Sequence, residues 1–276
     1  DAQCAAWHYR PGAGDGATCV VMANGFSLTR HDGLPHVAER LAAAGAQVLV
    51  YDNRYLGDSG GEPRQRFRKA DQLEDWENAI AHARGLDGVR RIVLWGFSFG
   101  GGNAVEVAAR RPDVAALLLL APFADGLARA LATPPRLTAW IVPRAIADVA
   151  GRHNLIPVTS QPGGHGAMSL PGEGDGFAAA VPPGSPWPNE TSPGIFLTVA
   201  LHRPVTKARK LQCPVWVGLG ERDISVSGKA VERLAQRAPQ GELHRYPFDH
   251  FEPLLPENAA RIGDDQAAFL RARGLL

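Results

Sequence analysis

The segment Trp95-Gly96-Phe97-Ser98-Phe99-Gly100-Gly101 constrains this chain more than any other. A β-branched and aliphatic run, residues 91–95, precedes it, and a helical pattern over 99–110 follows. A strand that turns at once into a helix holds the residue at the corner in a strained backbone conformation and exposes its side chain. Glycines two positions to either side remove the side chains that would collide there. The helix then starts with unpaired N–H groups beside Ser98, where developing negative charge is favoured. The same seven residues in a different context would be a packing turn. The strand before them and the helix after them make Ser98 a candidate nucleophile.

The rest of the chain repeats that strand-then-helix rhythm. Apolar runs at 18–23, 46–51, 91–95, 115–120, 214–219 and 242–246 alternate with helical patterns at 34–44, 69–84, 99–110, 230–238 and 257–273. The alternation predicts an α/β fold with a mostly parallel, twisted sheet and helices on both faces. Residues 5–10 read as an antiparallel edge strand followed by a Gly-rich turn over 11–16. Between 124 and 212 the rhythm stops. Residues 126–150 read as helical, and the remainder is rich in Pro and Gly yet holds Phe177, Trp187 and Phe196. Disordered segments are poor in aromatics, so this stretch is expected to be a cap or lid. The expected division is a core of 1–123 plus 213–276 and an inserted cap of 124–212.

A serine hydroxyl is a weak nucleophile and needs a base, and the base needs an acid to orient it. In a strand–turn–helix setting the chain order is Ser, then acid, then His. Asp223 follows the 214–219 strand and His250 follows the 242–246 strand, both at strand ends where open α/β sheets place their sites. Asp125 is the rival acid, and chain position favours Asp223. Asp249, beside His250, would point away from it in an extended loop, and Glu221 is a weaker candidate acid. His244 falls within a strand, and His31 and His36 precede the serine. Acyl transfer further needs two donors for the oxyanion. They are expected at the N–H groups of Phe99 and of Phe26, the latter in the loop Asn24-Gly25-Phe26-Ser27. The Asn24 side chain is expected to brace that loop. Asn24, Tyr55 and Trp187 are the candidate substrate contacts.

Composition excludes several other classes. The 276 residues carry 29 basic and 28 acidic side chains with no charge block, which leaves no footprint for nucleic acid. The longest apolar run, residues 114–123, is half of what a membrane-spanning helix requires, so no membrane partner is expected. The first residues show no basic-then-apolar leader pattern. Three widely spaced cysteines, Cys4, Cys19 and Cys213, read as reduced thiols in a cytoplasmic protein. The nine histidines are scattered without metal-site spacing, and neither metal nor organic cofactor is expected.

With these residues in view, the sequence resembles the α/β-hydrolase superfamily over nearly its whole length. Asn24-Gly25-Phe26 resembles the oxyanion loop, and Gly96-Phe-Ser98-Phe-Gly100 the nucleophile elbow. Asp52-Asn-Arg54-Tyr-Leu-Gly57-Asp-Ser59 resembles the Asp-x-Arg-Gly-x-Gly-x-Ser loop, with Tyr55 in place of a glycine. The 51–64 segment and Ser185-Pro-Trp187 are similar to bacterial peptidase-like and dienelactone-hydrolase-like members, some of which serve polyketide and other secondary-metabolite pathways. Where such relatives often place Gly before the histidine, this chain has Asp249. The resemblance implies a serine hydrolase or acyltransferase acting on an ester or thioester of a small-to-medium apolar metabolite. The alternative it implies is a lyase that uses His250 to expel a carboxylate from an acylated intermediate. A non-catalytic ligand receptor is a third reading, disfavoured because all three triad positions are present.

Overall fold

A computed structural model describes residues 2–12 and 14–276. The expected Gly-rich turn over 11–16 includes Ala13, which lies outside them.

Among the described residues, seven strands form one sheet in the order β1-β3-β2-β4-β5-β6-β7. They are β1 (Ala6–Tyr9), β2 (Thr18–Ala23), β3 (Gln47–Tyr51), β4 (Arg91–Phe97), β5 (Val114–Leu120), β6 (Val215–Gly220) and β7 (Gly241–Tyr246). β1 pairs antiparallel with β3, and every other pairing is parallel. The central strands read as continuous apolar runs because both their faces are covered. β2 and β3 are buried at every position.

Helices α1 (Leu34–Ala43) and α8 (Pro256–Arg271) cover one face. Their Leu34, Val37, Leu41, Ile262 and Leu270 pack with Val20, Val48 and Trp95. The other face carries α2 (Lys69–Arg84), α3 (Ser98–Ala108) and α7 (Gly228–Arg237), which bring Trp76, Ile80, Val105 and Leu234 against Val21, Leu49 and Leu94. A buried hydrogen bond from the Trp95 indole to Gln266 Oε1, 2.9 Å, ties β4 to α8. Strand order reverses between β2 and β4, so the loops after these two strands diverge and leave a crevice. The loop Asn24-Gly25-Phe26-Ser27 and the Ser98 corner are those two loops.

Between β5 and β6 the chain makes α4 (Gly126–Ala132), α5 (Pro135–Ala147), a single π-type turn (Asp148–Arg152), α6 (Glu173–Ala180) and four short 3₁₀ turns within 193–210. The helix expected over 126–150 is thus two helices. They break at Thr133-Pro134, where Thr133 is extended, as a residue before proline prefers. The Pro/Gly-rich remainder also holds one more helix, α6, than its composition predicts. Leu137, Ile141, Ile156 and Ala167 form a small apolar cluster of this segment's own. No helix among the described residues is long and apolar enough to cross a membrane.

Candidate active site

β4 ends at Phe97 and α3 begins at Ser98, whose φ of 49° lies in the left-handed region. Neighbouring backbone explains each glycine of the motif. A Cβ on Gly96 would lie 2.6 Å from the Gly100 carbonyl oxygen, and one on Gly100 would lie 2.3 Å from that of Asn24. A Cβ on Gly25 would meet the Ser98 Cβ at 2.9 Å, so the 24–27 loop touches the corner itself. The Ser98 carbonyl accepts from the Phe123 N–H, 2.8 Å, which anchors the corner to the loop after β5.

His250 and Asp223 converge on that corner. His250 Nε2 lies 3.0 Å from Ser98 Oγ, and His250 Nδ1 lies 2.7 Å from Asp223 Oδ2. An ionised carboxylate only accepts, so Nδ1 carries the proton and Nε2 is left to accept from the serine hydroxyl. The His250 side chain is held between Phe97, ring centroids 5.0 Å apart, and the edge-on Phe251 at 4.9 Å. The Asp223 carboxylate is in turn fixed by the N–H groups of Ser225 and Val226, which donate to Oδ1 at 2.8 and 3.1 Å.

The rival acids are occupied elsewhere. Asp125 caps α4 through the Leu127 N–H and grips Arg203 with both oxygens, at 2.8 and 2.9 Å. Asp249 turns away from His250 and accepts from the N–H groups of Phe251 and Glu252, each at 2.8 Å. Glu221 is exposed. His244 stacks on Trp216, and His31 meets Asp58 at 3.0 Å.

The Phe99 amide stands in the first turn of α3, where a helix has no carbonyl of its own to offer it. The Phe26 amide donates to no carbonyl among the described residues. Both residues line a cavity of about 80 Å³ that contains Ser98 and His250. Its remaining walls are mainly apolar, with Phe123, Ile141, Ile195 and Phe196 among them. Several of these come from the 124–212 segment, which therefore supplies part of the cavity wall.

Structure and expectation differ at the three candidate substrate contacts, none of which lines this cavity. Asn24 is 3% exposed and turned inward. Its amide donates to the carbonyls of Thr29 and Asp32, both at 2.8 Å, and its Oδ1 accepts from the Gly25 N–H, so it braces the loop. The ring of Tyr55 lies beneath the Arg66 guanidinium, and Trp187 packs on Phe177 with centroids 4.7 Å apart. Aromatic residues near a motif were thus used for packing, and adjacency in sequence did not carry them to the cavity.

Sequence reasoning also missed polar residues that do line or support the site. Arg129, on α4, and Ser225 line the cavity. Behind them Glu173, 1% exposed, pairs with Arg129 at 3.1 Å and accepts from the Ser225 hydroxyl at 2.9 Å. Ser225 was legible as part of an Asp-x-Ser turn. The pairing of Arg129 with Glu173 left no signal, because it depends on how the 124–212 segment folds.

A second buried group lies under the same wall. The His202 ring packs on Phe99 and stacks on Phe123, and its Nδ1 meets Glu106 at 3.0 Å. Glu106 also receives Lys69 at 3.1 Å and Arg110 at 3.5 Å. Burial raises the Glu106 carboxyl, but the His202 hydrogen bond and the charges of its partners outweigh it and bring it down to about 2. A depressed carboxyl contributes stability that is present above its unfolded value, about 4.5, and lost as pH falls through its folded one. Glu106→Gln is therefore expected to lower the urea midpoint at pH 7. The difference from wild type should close between pH 4.5 and about 2. A gap that stays constant down to pH 2 would show that the carboxylate charge plays no part.

The fold and site agree with what the chain is similar to. Residues 17–163 match the family described as Serine aminopeptidase, S33. The quorum-quenching protein AidA of Acinetobacter baumannii is 36% identical across 98% of this chain and 91% of its own length. The thiohydrolase aneE of Aspergillus aculeatus is 28% identical over 63% of this chain and 56% of its own. Among solved structures, the α/β hydrolase GrgF from a Penicillium species superposes with a TM-score of 0.78 at 21% identity, covering 98% of each chain. The chain is an α/β hydrolase and belongs to the serine aminopeptidase S33 family.

Proposed function

We propose that this protein is a serine-dependent hydrolase or acyltransferase acting on an ester or thioester of a small-to-medium apolar metabolite. The observation that carries this reading is the hydrogen-bonded chain from Ser98 Oγ through His250 to Asp223, opening into an apolar cavity. His250 Nε2 takes the hydroxyl proton as Ser98 Oγ attacks the acyl carbon, and Asp223 stabilises the imidazolium that forms. The N–H groups of Phe26 and Phe99 receive the oxyanion, with the N-terminus of α3 favouring its charge. His250 then gives its proton to the departing alcohol or thiol. Water, or a second alcohol, releases the acyl group by the same steps in reverse order.

Residues 124–212 act as a cap in this reading. They supply much of the apolar wall and so select the acyl chain and keep water from the acyl-enzyme. A relative named as a quorum-quenching protein supports a small signal molecule as substrate, and one named as a thiohydrolase supports a thioester. The free cysteines support a cytoplasmic site of action.

The test is intact mass after exposure to a small fluorophosphonate. One adduct on the wild type and none on Ser98→Ala is the expected result. Equal labelling of both would remove Ser98 as the nucleophile. No labelling of either would point instead to base-only chemistry at His250.

A further inference from the structure

We propose that Arg129 determines specificity by donating to a carbonyl or amide oxygen carried by the substrate beside the ester or thioester that reacts. This rests on the hydrolase reading above and goes beyond it by naming a polar group the substrate must bear.

Arg129 is the one Arg or Lys among the described residues that line the cavity, and its side chain is only 17% exposed. A guanidinium on an apolar wall costs free energy unless it is paired and hydrogen-bonded. The fold supplies one close partner and one distant one and leaves the rest of the fork open. Nη2 faces Glu173 at 3.1 Å, and Nη1 reaches the Ser225 carbonyl at a long 3.5 Å. Nε has no acceptor among the described residues. The guanidinium has five N–H donors, so several remain for a ligand.

The position is built to be rigid. Glu173 is almost fully buried, and its second oxygen accepts from the Leu170 N–H at 2.9 Å. Its first oxygen also holds the Ser225 hydroxyl, two residues after Asp223. One carboxylate therefore fixes Arg129 relative to the acid loop of the triad, and hence relative to the reacting serine. That coupling is what a specificity contact requires, since a shift of about 1 Å would uncouple recognition from chemistry.

The same pairing selects the ligand's chemistry. Glu173 balances the Arg129 charge, so the site does not call for an anion, and a substrate carboxylate would face Glu173 as well. A neutral acceptor gains a charge-assisted hydrogen bond without that repulsion. A plain alkyl chain gains nothing and leaves the donors unpaired. The distinction should amount to about ten- to a hundredfold in kcat/KM.

The experiment compares 4-nitrophenyl hexanoate with its 3-oxo, 4-oxo and 5-oxo analogues, each rate divided by that ester's own uncatalysed hydrolysis rate. Wild type is expected to prefer at least one oxo ester by about tenfold or more, chiefly through KM. Arg129→Met should bring that ratio to about one. Arg129→Lys keeps a cation for Glu173 but not the planar fork, and should lose most of the ratio. It serves as the comparison if the Met variant does not fold. A wild-type ratio near one for all three analogues, with hexanoate still hydrolysed, would overturn the assignment and leave the hydrolase reading standing. So would a ratio that survives both substitutions, since a purely structural role of the Arg129–Glu173 pair changes stability and not selectivity. Absence of turnover with every ester, together with no fluorophosphonate adduct, would remove the hydrolase reading and this inference with it.

Discussion

Ser98→Ala is expected to lower kcat by about 10⁶-fold while leaving the protein folded. The hydroxyl Oγ lies 3.0 Å from His250 Nε2, placed to attack an acyl carbon while its proton passes to that base. Alanine keeps the Cβ that the corner already accommodates at a φ of 49°, so it adds no new clash. The urea midpoint should therefore match that of wild type. Some turnover above the uncatalysed rate should persist, because the Phe26 and Phe99 amides and the cavity are untouched. Asp223→Asn should be milder, with a loss of about 10⁴-fold, since the serine and imidazole remain but the imidazole is held in the wrong tautomer. Steady-state kinetics on one 4-nitrophenyl ester measures both. If Ser98→Ala kept more than about a hundredth of wild-type kcat, the nucleophile would lie elsewhere or the reaction would not proceed through an acyl-enzyme.

The sheet and the convergence of Ser98, His250 and Asp223 were legible in the sequence for one physical reason: both are written in local patterns. Strands buried on two faces must be continuously apolar, as in Val20-Val21-Met22 and Leu117 to Leu120, and helices that cover them must repeat apolar residues every three or four positions. The glycines around Ser98 are demanded by contacts with backbone one loop away, so they survive as a readable motif. Asp223 and His250 were reachable because parallel strands deliver their C-terminal loops to the same edge. The 124–212 segment has no such rule. Its contacts join distant positions through single side chains, as Arg129 joins Glu173 and Asp125 joins Arg203. Proline breaks its helical run at 134, and Pro/Gly-rich composition hid α6, whose start at Glu173 is set by a buried carboxylate bonded to the Leu170 amide. Trp187 looked like a cavity residue because it is large and lies in the segment expected to form the lid. It packs on Phe177 instead, since burying an aromatic ring favours the segment's folding wherever the ring lies.

Gly100→Ala is expected to damage both stability and catalysis, and the two losses have one cause. The added Cβ would stand 2.3 Å from the Asn24 carbonyl oxygen, 2.8 Å from that of Ala23 and 3.1 Å from the Asn24 carbonyl carbon. All three are backbone atoms at the end of β2, so no side chain can swing aside. Either α3 or the 24–27 loop must move, at a cost of about 3 kcal/mol. That movement separates the Phe26 amide from the Phe99 amide and from Ser98, because the loop and the corner are already in contact through Gly25. A displacement of about 1 Å should lower kcat about 10²-fold, with KM less affected. Gly228→Ala is the matched control. Its Cβ would meet nothing nearer than the Leu219 Cδ1 at 3.8 Å, and it lies in the first turn of α7, where alanine favours the helix. It should leave the urea midpoint and kcat unchanged or raise the midpoint slightly. If Gly100→Ala behaved like this control, the 24–27 loop would not be packed against the Ser98 corner. If stability fell but kcat did not, the Phe26 amide would not be one of the oxyanion donors.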